Sequence, residues 1–146
     1  MAILQPVVAL FVWTMVMWLW MYATRLPAMT KAKIDPDSLA LDPDTSLDNL
    51  LPPQVQWKAH NYNNLHEAPT LFYAVIIVLA LLDMQDPESG TGLALWIAWA
   101  YVAIRIVHSL VQATVNRVVL RFAIFNLSQI ALLALIALAV LDVFGN

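Results

Sequence analysis

Four long apolar runs, separated by polar stretches, set the pattern of this chain. The runs cover about residues 3–25, 61–82, 93–115 and 118–143. Roughly 20 apolar residues at ~1.5 Å rise per residue cross a hydrocarbon layer of ~30 Å, so each run predicts a membrane-spanning helix. No Lys or Arg precedes the first run, and no small-residue cleavage site follows a short core. It therefore reads as a permanent helix rather than a signal peptide. The expected architecture is all-α, an integral membrane four-helix bundle forming a single domain over residues 1–146.

The polar stretches differ in kind. Residues 26–57 hold Lys31, Lys33, five aspartates and five prolines, which predicts a long loop outside the hydrocarbon. Loops of that length are often lids or partner surfaces. Residues 44–51 predict a short helix with Leu47, Leu50 and Leu51 turned to the membrane. The two Asp-Pro-Asp triplets, at 35–37 and 42–44, read as turn and helix-start signals rather than a cation site. Residues 83–91 form a short acidic loop, and a tight turn around Asn116-Arg117 joins the last two runs.

Composition narrows the function. Of the 146 residues, 62% are hydrophobic and 12% charged, about half the charge of an average soluble domain. The net charge of −3 and the lack of a basic patch with interleaved aromatics argue against nucleic acid as a partner. Cysteine is absent, so any thiol chemistry needs a thiol supplied by a substrate. Arg25, Lys31, Lys33 and Lys58 flank the first loop, and Arg117 and Arg121 flank the third. The termini and the second loop carry no Lys or Arg, so the positive-inside rule places both termini on the non-cytoplasmic side.

Ionisable residues inside a span cost roughly 2.5–3.5 kcal/mol each and need partners. His60, Asn64 and Glu67 stand at i, i+4 and i+7 on the second span; Arg105, His108, Gln112 and Asn116 form a stripe on the third; Arg117, Arg121 and Ser128 share a face of the fourth. Counting from Lys58 and Asn116, Glu67 lies about 13 Å deep and Arg105 about 16 Å deep at ~1.5 Å per residue. A Glu67–Arg105 ion pair is the economical expectation, in a polar cleft opening to the cytoplasm. His60 and His66 lie on different faces, so no metal site is expected. Arg121 adds a cation with no acid left to neutralise it, which favours an anionic ligand. Taken singly, Glu67–Arg105 and His108 also fit a purely structural role as interhelical hydrogen-bonding groups.

Asn64-Leu-His-Glu67, followed by Pro69 and Phe72, resembles the second-helix motif of the MAPEG family, membrane-associated proteins in eicosanoid and glutathione metabolism. Arg105-Ile-Val-His108, with Arg121 sixteen residues after Arg105, resembles that family's pattern across helices three and four. The resemblance implies a homotrimer of bacterial type in the inner membrane, with glutathione bound between neighbouring subunits. Asn64, Glu67, Arg105, His108 and Gln112 would hold glutathione, and Arg121 would be catalytic by favouring the thiolate. A lipophilic electrophile would arrive from the bilayer. Three positions depart from the pattern: His60 replaces an arginine, Gln112 replaces a tyrosine, and Phe122 stands where prostaglandin-type isomerases place a hydroxyl. The first two weaken anion binding and packing against the tripeptide.

Two functions follow. One is a glutathione-dependent transferase or peroxidase acting on membrane-dissolved lipophiles. The other is a non-catalytic scaffold or accessory subunit that binds a membrane-complex partner through the 26–57 loop. A channel or proton relay through Glu67 and His108 is disfavoured, because the far half of each span is almost wholly apolar.

Overall fold

The computed structural model describes residues 2–41, 46–85 and 92–145. Among these residues the chain is helical throughout, and four helical stretches are long and apolar enough to cross a membrane. Helix α1 spans Gln5–Lys31 after a single 3-10 turn at Ala2–Leu4. Two short helices, α2 (Pro36–Leu41) and α3 (Leu47–Leu50), cross the polar segment. The second span is two helices, α4 (Pro53–Glu67) and α5 (Thr70–Gln85), followed by α6 (Gly92–Thr114) and α7 (Val118–Phe144).

Helix α6 is the hub of the bundle, packed against α1, α4 and α7. Its buried residues Ala94, Ala98, Tyr101, Val102, Arg105, His108, Ser109, Gln112 and Ala113 recur at helical spacing and form one continuous stripe. Small Ala94 and Ala98 let neighbouring helices approach closely in its first half. Midway along, Tyr101 stacks on Phe72 of α5 at 4.3 Å between ring centroids, both fully buried. The outer faces carry exposed Phe11, Leu19, Leu71, Ile130 and Leu133. An apolar exterior of that extent is stable only against lipid or other helices.

The second span breaks where sequence chemistry requires it. Pro69 has no N–H for the ladder, and its ring crowds the preceding turn. The chain resumes with Tyr73 N–H donating to the Pro69 carbonyl at 3.0 Å, while the Thr70 hydroxyl donates to the His66 carbonyl at 2.8 Å. At the opposite end, Pro53 occupies the first turn of α4, where a missing N–H costs nothing. Lys58 Nζ reaches the Ala113 carbonyl in the last turn of α6 at 3.3 Å, so α4 supplies a cation to an unpaired helix end.

The polar segment is shorter than its composition indicates. α1 runs through Pro27 to Lys31, and α4 starts at Pro53, so residues 26–31 and 53–57 are helical rather than loop. Leu51 is buried, not turned to the membrane, whereas Leu50 is exposed. The Asp35 carboxylate accepts from the Asp37 N–H at 3.1 Å just before α2, as a helix-start signal does. The 42–44 triplet lies outside the described residues, as does most of the 83–91 loop, whose first three positions belong to α5.

Phe72 and Val119 test this inside-out assignment. Phe72→Ala should lower stability by about 3 kcal/mol through the cavity it leaves. Val119→Ala, on the outer face of α7, should change it by no more than about 0.5 kcal/mol. Thermal unfolding in detergent reads both.

Candidate functional site

The site is built around Arg105, fully buried on α6. Its Nη2 donates to the Asn64 side-chain oxygen at 2.5 Å and to the Asn64 backbone carbonyl at 3.3 Å. That carbonyl also accepts the Ala68 N–H at 3.1 Å, one residue before Pro69. Asn64 thus meets the guanidinium with both of its oxygens at the point where the helix is about to break. The Phe125 ring of α7 lies 5.7 Å from the guanidinium carbon, close enough for cation–π attraction. Arg105 Nε and Nη1 have no partner, and neither does the Tyr101 hydroxyl one turn away.

The expected Glu67–Arg105 ion pair does not form. Glu67 is exposed on the outer side of α4, and no carboxylate among the described residues pairs with Arg105. Residue count fixes position along a helix but not azimuth: three residues leave Glu67 about 60° around from Asn64, past the rim of the bundle. His60 is exposed on the same side, where its Nε2 donates to the Asp48 carboxylate of α3 at 3.0 Å. The stripe expected of His60, Asn64 and Glu67 is therefore split, with only Asn64 turned inward.

Beside Arg105, towards the Asn116 turn, lies a cavity of about 220 Å³ lined by Asn64, His108, Gln112, Arg121, Phe122 and Phe125, with Val118. Four of the six site residues read from the sequence thus meet around one space. Arg105 stands behind it and positions Asn64; Glu67 is not part of it. His108 Nδ1 and Gln112 Oε1 are buried without partners. Arg121 is half-buried, and its Nη1 donates to the Asn116 side-chain oxygen at 2.6 Å.

Phe125 and Asn61 carried no clear signal in the sequence, and Asn116, expected on the polar stripe of α6, acts at the turn as well. Asn116 has φ 50°, a left-handed conformation that asparagine tolerates better than most residues. Its N–H closes α6 on the Val111 carbonyl at 2.7 Å while its side chain holds Arg121. Phe125 lies one turn beyond Arg121 and covers both Arg105 and His108, with 5.9 Å to the His108 ring centroid. Asn61 Nδ2 donates to Ser109 Oγ at 2.6 Å, a buried polar contact that fixes α4 against α6. The spacing of 61 to 65 and of 105 to 109 would have revealed this last pair, had the search for inward faces included Asn61.

A family model described as the MAPEG family matches residues 3–141. No curated protein and no solved structure matches the chain.

Asn64→Ala should cost about 2–3 kcal/mol, the usual value of a hydrogen bond to a charged group plus the buried charge it strands. Glu67→Gln should leave stability within about 0.5 kcal/mol in detergent-solubilised monomer. Reversal of that order would restore the ion pair.

Proposed function

The chain belongs to the MAPEG family, and from that premise we propose that it is a glutathione-dependent transferase or peroxidase acting on lipophilic electrophiles dissolved in the bilayer. The observation that carries the reading is Arg121: a half-buried guanidinium held by Asn116 at the edge of a cavity where His108 Nδ1 and Gln112 Oε1 lack partners. A neutral amide orients it, so its charge is left for a ligand. Unpartnered buried polar atoms are rare and call for something to satisfy them.

The donor set fits an anionic, hydrogen-bonding peptide. Asn64, His108 and Gln112 would hold polar groups of the tripeptide, and Arg121 would sit beside the sulfur. Glutathione supplies the nucleophilic thiol that a chain without cysteine lacks. A guanidinium next to that sulfur in a low-dielectric pocket favours the thiolate over the thiol. Phe122, Phe125 and Val118 exclude water on the α7 side and form an apolar flank for a lipophile.

The size of the cavity supports a homotrimer. At about 220 Å³ it falls below the usual range for small-molecule sites, roughly 300–1,000 Å³, so one protomer supplies part of the site. Exposed Glu67 on α4 points the same way, because a carboxylate facing lipid is costly and a neighbouring subunit relieves it. The clustering of cations at one end supports an orientation with both termini non-cytoplasmic.

One observation favours the second reading, a scaffold or accessory subunit. His60, which stands where glutathione-using relatives carry an arginine, is engaged by Asp48 of the polar segment. In that case the cluster serves assembly, and the segment at 26–57 meets the partner.

Thermal unfolding with millimolar glutathione separates the two. Ligand at a hundred times its dissociation constant should add about 2.7 kcal/mol, and the gain should vanish in Arg121→Ala. No gain in the wild-type protein would favour the scaffold.

A further inference from the structure

A second cavity lies on the α1 and α3 side of α4. It measures about 370 Å³ and is walled by Arg25 of α1, Ser46 and Asp48 at α3, and Gln56, His60 and Asn63 of α4. Gln56 is 3% exposed, its Nε2 donates to the Leu47 carbonyl, and its Oε1 has no partner. Arg25 is half-buried; its Nε is buried without an acceptor, and it forms no ion pair among the described residues. Two residues that wall the cavity thus carry unpartnered polar atoms, a donor on Arg25 and an acceptor on Gln56. Asp48 adds a negative charge, held in place by His60.

The position of this cavity in the bundle limits what it can hold. Arg25 follows the last apolar residues of the first run, and His60 precedes the second run, so the cavity lies at the level of lipid headgroups. Aromatic residues mark the same level: Trp18 packs on Tyr22 at 5.0 Å, and Lys58 lies 5.3 Å from the Trp20 ring. Amphipathic rings concentrate at that depth, and basic pockets between spans bind lipid headgroups there.

We propose that this cavity binds the headgroup of a zwitterionic aminophospholipid, with the phosphate on Arg25 and the ammonium on Asp48 and Gln56. The phosphate gives Arg25 the acceptor it lacks, through charge-assisted bonds. The ammonium gives Gln56 Oε1 a donor and pairs with Asp48. A choline headgroup carries no N–H and leaves Gln56 unsatisfied. A purely anionic headgroup meets the Asp48 carboxylate. At about 370 Å³ the space falls within the range that holds small molecules. The bound lipid would also fasten α3 and the polar segment to the ends of α1 and α4.

The test uses the full chain, purified and delipidated in detergent, with phosphatidylethanolamine, phosphatidylcholine or phosphatidylglycerol added at equal mole fraction. Native mass spectrometry should show phosphatidylethanolamine retained about tenfold over the other two, a ratio within reach of one charge-assisted hydrogen bond. Arg25→Gln and Asp48→Asn should each abolish the preference. Lys31→Gln, which removes a charge from the same end outside the cavity, should keep it. Should Arg25→Gln fail to fold, Asp48→Asn against Lys31→Gln decides. Equal retention of the three lipids, or loss of preference in Lys31→Gln, overturns the proposal. Equal competition by soluble phosphoethanolamine would also overturn it, by assigning the cavity to a free zwitterion. Glutathione does not enter this experiment, so its outcome is independent of the proposed activity.

Discussion

A fully buried guanidinium with no carboxylate partner among the described residues is the constraint around which this bundle is organised. Arg105 sits on the central helix, and a cation in such a place costs several kcal/mol unless its donors are satisfied. Asn64 meets part of that need, taking Nη2 with its amide oxygen and its backbone carbonyl next to the break at Pro69, while Nε and Nη1 stay without partners. The break also allows α4 and α5 to take different neighbours: α4 packs on α1 and α6, whereas α5 packs on α7. Phe125 closes the remaining side with its ring face. Each feature of the second and fourth spans near this level thus answers to one charge on the third.

Because a neutral amide fills the role of counter-ion, net positive charge remains in the interior. Arg105 and Arg121 both lie at the interface of α4, α6 and α7, and Glu67 of α4 faces outward. The arrangement is one that an anion completes. It also leaves Glu67 exposed on the outside of α4, where hydrocarbon does not satisfy a carboxylate. The inner side of α4, at Asn64, orders the cavity, and its outer side carries the exposed Glu67.

Much of this was legible in the sequence. Apolar runs of spanning length identify the four membrane crossings almost without competition, because in lipid the backbone has few alternatives to a helix. The stripe Arg105, His108, Gln112 on α6 followed from helical spacing alone and proved buried throughout. Glu67 was misplaced because depth along a helix is fixed by residue count, whereas its azimuth depends on which neighbours the helix packs against. Residues 26–31 were read as loop because Pro27 and charge break the apolar run, although a helix tolerates one proline when its end is free to leave the membrane. Phe125 carried no polar signal, and its role arises only from two arginines meeting across helices. The double duty of Asn116 depends on a left-handed backbone that composition does not reveal.

The central claim is that Arg121 presents an uncompensated positive charge to a thiol, and ultraviolet thiolate absorbance tests it most directly. Glutathione at neutral pH should show an increase on adding wild-type protein that saturates with protein concentration and is absent with Arg121→Gln. No increase with the wild-type protein, or an equal one with Arg121→Gln, would contradict the account.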